Sequence, residues 1–202
     1  MFDQLLRELK DRLLAPLARL IGPRVSPSTI SILAFAAGLG AGWAVVGRRN
    51  DVALILWLVN RVLDGLDGTH ARVHGVQSDF GGYLDIVLDF VVYAAIPIAI
   101  VIADGTVALA LACAVLLGAF VVNSASWMYL AAILERRQVG AIARGELTTI
   151  TMPPGIIAGA ETIVFYALFL VMPARQLTLF WLMAGLVGLN VIQRLWWGRR
   201  EL

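Results

Sequence analysis

The sequence predicts an all-α integral membrane protein: six transmembrane helices preceded by an N-terminal amphipathic interfacial helix. Three observations predict it. Hydrophobic residues make up 60% of the 202 residues and charged ones only 15%, against about half and about a quarter in soluble domains. Mean hydropathy is +0.83. The apolar residues fall into six runs, each near the roughly 20 residues that a span requires. The runs use up the chain, so a single membrane-embedded domain over 1–202 is expected, with 1–25 as interfacial helix and linker and 29–197 as a six-helix bundle. The lone Cys113 lies in an apolar run and gives neither a disulfide framework nor a thiolate metal site. No cleavable signal peptide and no nucleic-acid partner are expected.

Residues 2–21, FDQLLRELKDRLLAPLARLI, set leucines at helical spacing with Arg7, Lys10, Arg12 and Arg19 between them. That pattern predicts a helix lying in the cytoplasmic interface, bent at Pro16. GPRVSPST interrupts it, and Ser26 to Thr29 suit a helix start. Span one covers 29–47; Gly38 and Gly42 give it a small-residue face for tight helix contact, most simply within the subunit. GRRND turns the chain into span two, 52–73. A break at 74–79 leads into span three, 80–103, and ADGT into span four, 106–133. ERRQVGAIARGE is a polar loop before span five, 154–172. MPARQ turns into span six, 177–197, whose Trp196 and Trp197 read as an interfacial anchor.

Six spans place both termini on one side. That side holds the basic residues of 7–24, Arg136, Arg137, Arg144, Arg199 and Arg200, against Arg48, Arg49 and Arg175 opposite. The positive-inside bias therefore puts the termini, and the 74–79 break, on the cytoplasmic side of a cell membrane.

One stretch conflicts with its setting. LDGLDGTHARVHGVQSDFGGYLDIVLDF, Leu63 to Phe90, carries Asp64, Asp67, Asp79, Asp85 and Asp89 between apolar runs. An aspartate at a helix centre costs roughly 2.5–3.5 kcal/mol, and neighbouring carboxylates repel. Arg61 and Arg72 are the fixed cations nearby, with Arg61 expected to face a cytoplasmic cavity or to snorkel. A divalent cation is the simplest further source of positive charge. At roughly 100° per residue, Asp64, Asp67, Gly68, Ala71 and Gly75 share one face of span two, with Arg72 at its edge. Gly81, Asp85 and Asp89 form a stripe on span three, and the break folds the two together. An all-oxygen set suits Mg²⁺, Mn²⁺ or Ca²⁺. Gly68, Ala71 and Gly81 leave room for a ligand close to the backbone. Carboxylates, an arginine and small residues together suggest phosphoryl-group chemistry.

Other polar residues have plainer readings. Asp79 is expected to be solvated or capping, and Ser78 to cap the turn. His70 and His74 have zinc-compatible spacing but lack the glutamate of a zincin, so a structural role is favoured. Asn123, Ser124, Ser126 and Tyr129 form a patch suited to helix–helix bonding. Glu161, a carboxylate inside span five, is a functional candidate. Arg136, Arg137 and Arg144 fit the topology bias or anionic lipid; the other reading is a pocket for a phosphorylated acceptor.

The array Asp64-x2-Asp67-Gly68-x2-Ala71-Arg72-x8-Gly81-x3-Asp85-x3-Asp89 resembles the signature of the CDP-alcohol phosphotransferases (CDP-alcohol phosphatidyltransferases) at all eight fixed positions. The six-span plan, the N-terminal helix and the SPSTIS entry to span one extend the resemblance over most of the chain. The resemblance implies a phospholipid-synthesis transferase that displaces CMP from a CDP-linked lipid donor, usually CDP-diacylglycerol, with an alcohol acceptor. By position it implies that Asp64, Asp67 and Asp85 ligate one or two Mg²⁺ or Mn²⁺ ions. Asp89 would be the general base and also touch a metal. Gly68, Ala71 and Gly81 would line the cytidine site, with Arg72 on the donor phosphates. Glu161 and Arg144 are the acceptor-pocket candidates, and homodimers are usual in the family. A cation or proton transporter with an aspartate-lined pathway is the rival from another class, and a soluble CDP-alcohol donor with a lipid acceptor the rival within the family.

Overall fold

The computed structural model describes residues 2–144, 155 and 157–202, without the side chains of 2–9, 142, 144 and 201. Its elements are α1 (Phe2–Ile21), α2 (Pro27–Val46), α3 (Asn50–His74), α4 (Asp79–Asp104), α5 (Val107–Arg136), α6 (Ala141–Arg144), α7 (Gly159–Val171), a 3₁₀ turn (Pro173–Arg175) and α8 (Gln176–Glu201). Four segments are long and apolar enough to cross a membrane: Pro27–Val46, Asp79–Asp104, Val107–Arg136 and Pro173–Arg200. Of the expected six spans, two fall outside that set. Helix α3 is long enough at 25 residues but carries Arg61, Asp64, Asp67 and Arg72. Helix α7 has 13 residues, about 20 Å of rise. The expected start of span five, Pro154, lies outside the described residues.

The chain divides into two compact units, Met1–Asp104 and Gly105–Leu202. In the first, α2 begins where the sequence placed a start: Ser26 accepts the Thr29 N–H at 3.1 Å, with Pro27 in the first turn. Gly38 and Gly42 face α4. A Cβ on Gly38 would stand 2.6 Å from a Val92 methyl, and one on Gly42 would meet Ala95 and Ala99. The small-residue face is thus used inside the subunit. Asn60 of α3, fully buried, donates to the Ala34 carbonyl of α2 at 2.8 Å. This bond pays for burying its amide.

Helix α3 ends at Gly75, whose left-handed φ of 66° needs no Cβ, and Val76 bonds back to Ala71. Ser78 caps α4 through the Gly81 N–H, and Asp79 is exposed. Helix α1 runs along the C-terminal half of α3. Ala18 is buried with Ile30 and Leu66, and the bare face of Gly65 admits Lys10 and Leu14. His74 bonds the Ala18 carbonyl and His70 the Val25 carbonyl. Both histidines therefore join the N-terminal segment to α3, the structural role expected of them.

In the second unit α5 packs on α8, and α7 joins α8 through Phe169, whose ring meets Tyr166 and Phe180. Asn190 of α8 bonds both the N–H and the carbonyl of Ile157. Trp196 is 59% exposed with Arg200 stacked over its ring.

Candidate functional site

The site is built where α2, α3 and α4 meet in the first unit. A small cavity there is lined by Ser31, Asn60, Asp64, Asp85 and Asp89, closed on its apolar side by Phe35, Leu88 and Val92. Asp64 and Asp89 come from different helices, 25 positions apart in sequence. The left-handed stop at Gly75 and the cap at Ser78 turn α4 back on α3 and bring them to one wall. Asp67, a turn along α3 from Asp64, is buried. Its Oδ2 accepts from the Ser31 hydroxyl at 2.6 Å and its Oδ1 from the Gly68 N–H.

Arg61 departs from the expectation that it would face an open cavity or snorkel. Its side chain is 7% exposed. It donates to Asp89 Oδ1 at 2.5 Å, lies 3.6 Å from Asp64 Oδ1, and bonds the Tyr93 hydroxyl and the Asn60 amide oxygen. Its guanidinium carbon sits 4.6 Å from the Trp57 ring centroid and 5.1 Å from that of Tyr93. The aspartates thus have an internal cation in Arg61, one of the two that the sequence placed nearby. Contact with Asp64 follows from i,i+3 spacing on one helix. Contact with Asp89 crosses between helices, and that packing is invisible in a linear sequence.

Arg72 turns the other way. Its Nε and Nη2 grip Asp11 of α1 at 3.0 and 2.5 Å, and Thr69 donates to the same carboxylate at 2.7 Å. The guanidinium lies against Gly68, where a Cβ would come 3.2 Å from Nη1. Burial pushes the Asp11 carboxyl up, but the bonds from Arg72 and Thr69 and the charge of Arg72 outweigh it and hold it below the usual range. Ala71 is buried, and the Ser78 hydroxyl fills the space above Gly81. Asp11 is a partner that sequence reasoning missed: it lies outside the signature, 61 positions from Arg72.

The four carboxylates offer hard oxygen donors, the chemistry of a Mg²⁺ or Mn²⁺ site. Among the described residues no three His, Cys, Asp or Glu side chains converge on one ion position. Asp89 is turned to Arg61 and Asp67 to Ser31. Three of the four, Asp64, Asp85 and Asp89, line one cavity, so the donor type suits such an ion although the carboxylates do not converge on one point.

The acceptor candidates belong to the second unit. Glu161 lies in the first turn of α7, exposed, and accepts the Ala158 N–H at 3.0 Å, a local capping bond. The side chain of Arg144 lies outside the described residues. Arg194 of α8 was passed over in the sequence. It is buried, and its Nη1 donates to the carbonyl and side-chain oxygens of Asn123 and to the Ser126 hydroxyl, tying α8 to the α5 polar patch. Its position inside an apolar helix was the available signal.

A model of the family described as CDP-alcohol phosphatidyltransferase matches residues 24–194. The chain is 31% identical to "Inner membrane protein YnjF" of Escherichia coli (strain K12) over 182 residues, 87% of this chain and 84% of that one. It is 32% identical to the archaetidylinositol phosphate synthase of Pyrococcus horikoshii over 89 residues, 42% of this chain and 47% of that one. Among solved structures, phosphatidylinositol phosphate synthase of Mycobacterium tuberculosis with CDP-DAG bound gives a TM-score of 0.70 at 20% identity, over 91% of this chain and 92% of that one. The same enzyme in complex with manganese and citrate gives 0.66 at 21% identity, over 90% and 87%. At that identity the likeness is one of fold.

Proposed function

The chain belongs to the CDP-alcohol phosphatidyltransferase family, and from that premise we propose that it moves a phosphatidyl group from CDP-diacylglycerol to an alcohol at the cytoplasmic membrane face, releasing CMP. It is an integral membrane transferase of phospholipid synthesis. The observation that carries the finer reading is the single cavity walled by Asp64, Asp85 and Asp89, with Asp67 buried beside it.

In this reading Asp64, Asp67 and Asp85 hold one or two Mg²⁺ or Mn²⁺ ions, with Asp89 beside them. Such ions, when bound, supply polarisation of the β-phosphate and neutralise charge on the departing CMP. Asp89 accepts the proton of the acceptor hydroxyl as its oxygen bonds to the β-phosphorus and the bond to the CMP oxygen breaks. Gly68, Ala71 and Gly81 line the cytidine site in this reading, with Arg72 and Ser78, which lie against the two glycines, moving aside for the nucleotide. Arg72 serves the donor phosphates, which then share it with Asp11. The lipid tails stay beside the apolar helices while the head group reaches the carboxylates. A CDP-DAG complex of a similar fold supports that choice of donor. A homodimer is proposed on family grounds alone.

The acceptor pocket is assigned to the second unit, to Arg144 and Glu161. Arg194 joins them as the stronger candidate, because Glu161 is already engaged as a cap. A buried arginine bonded, among the described residues, to neutral oxygens suits an anionic alcohol such as a sugar or polyol phosphate. The test is CMP release from CDP-diacylglycerol by purified protein with Mg²⁺ or Mn²⁺, across serine, glycerol phosphate, inositol phosphate and other alcohols, with the lipid product read by mass spectrometry. One metal-dependent lipid product is expected. No turnover with any acceptor, together with no binding of cytidine nucleotides, would overturn the reading.

A further inference from the structure

Arg61 lies outside the eight-residue signature, yet it sits among the signature carboxylates. Every polar end of it is engaged. Nε is held by Asn60, which is itself tied to the Ala34 carbonyl of α2. Nη1 is held by the Tyr93 hydroxyl and Nη2 by Asp89. Trp57 and Tyr93 offer their rings to the cation. An arginine fork fixed on all sides is a rigid reference for whatever it touches. It touches the aspartates unequally, at 2.5 Å for Asp89 and 3.6 Å for Asp64.

We propose that Arg61 is the resident counter-cation of the aspartate cluster and the positioning residue for Asp89, dividing labour among four like side chains. By holding Oδ1 of Asp89 it offsets that carboxylate's charge, weakens its hold on an ion and fixes its orientation for the acceptor proton, as the bonds from Ser31 and Gly68 fix Asp67. The fixed positive charge near Asp64 also weakens ion binding, which keeps the site exchangeable. This inference rests on the functional reading above for the role of Asp89; the counter-cation role does not depend on it.

The test compares wild type with Arg61→Met, Arg61→Lys and Tyr93→Phe in lipid nanodiscs. Mn²⁺ affinity is measured without substrate, by electron paramagnetic resonance of free Mn²⁺, beside kcat, KM and thermal unfolding. Removing the charge in Arg61→Met should tighten Mn²⁺ binding by about tenfold. Its kcat should fall by about 100-fold, with the KM for CDP-lipid moving less than about twofold. Arg61→Lys should restore the Mn²⁺ affinity but only part of kcat, because it returns charge without the fork. Tyr93→Phe, which removes one anchor of the fork, should shift both quantities the same way by less. A folded Arg61→Met with wild-type Mn²⁺ affinity and kcat overturns the proposal. So does an unstable Arg61→Met accompanied by a wild-type Tyr93→Phe, which would mark Arg61 as a packing residue. If wild type binds Mn²⁺ but turns over no CDP-lipid, the functional reading fails while the affinity comparison still decides the counter-cation role. If wild type binds no Mn²⁺, both fall.

Discussion

At the scale of single residues, the four signature aspartates are chemically alike, and their neighbours distinguish them. Asp67 is bonded to Ser31 and Asp89 to Arg61. Asp89→Asn should therefore keep Mn²⁺ and CDP-lipid binding but lose turnover by about 10²–10⁴-fold; an equal loss of Mn²⁺ affinity would recast Asp89 as a ligand. Ser31→Ala removes the bond that orients Asp67 and should weaken Mn²⁺ binding by about tenfold or more, which calorimetry can check. The Asp11 carboxyl sits below its ordinary value in the fold. A carboxyl of that kind adds stability above its unfolded pKa and loses it as pH falls through the folded one. The contact between α1 and α3 should thus be intact at neutral pH and loosen only below about pH 4. Asp11→Asn should speed proteolysis of α1 at pH 7 while costing about 1 kcal/mol or less in global stability, as befits a partly exposed pair. The aspartates and their small neighbours could be read from the sequence because their spacing fits two helical faces and the array resembles the family signature. The bonds of Arg61 to Asp89 and of Arg72 to Asp11 could not, because each joins two helices.

At the scale of elements, hydropathy located the helices well. The runs expected at 29–47, 52–73 and 80–103 form helices over Pro27–Val46, Asn50–His74 and Asp79–Asp104. The break at 74–79 was legible because glycine and serine stop and start helices by distinct backbone means. Packing between elements was partly legible: Gly38 and Gly42 announced a close approach but not its partner. That partner is α4, and it is specific. Val92 is β-branched and has little freedom to turn aside, so Gly38→Ala should lower stability by about 1–3 kcal/mol. Thermal unfolding in detergent would show it, and an unchanged transition would mean the helices separate without cost. Charge on α3 and the short length of α7 leave four helices that qualify by composition.

At the scale of the whole molecule, the signature carboxylates lie in the first unit, and Arg144, Glu161 and Arg194 in the second. Chelation of divalent ions should abolish CMP release, and added Mn²⁺ or Mg²⁺ should restore it without refolding. Activity that persists after exhaustive chelation would contradict the carboxylate assignment. The polar flank of α3, covered by α1, α2 and α4, has a consequence for biogenesis. Arg61, Asp64 and Asp67 make that segment a poor substrate for the translocon on its own, since each charge near a helix centre is costly to insert. A bilayer-crossing α3 would have to enter as half of a hairpin, with its ionic side already hidden by a neighbour. The order of synthesis would then be part of how this protein acquires its chemistry.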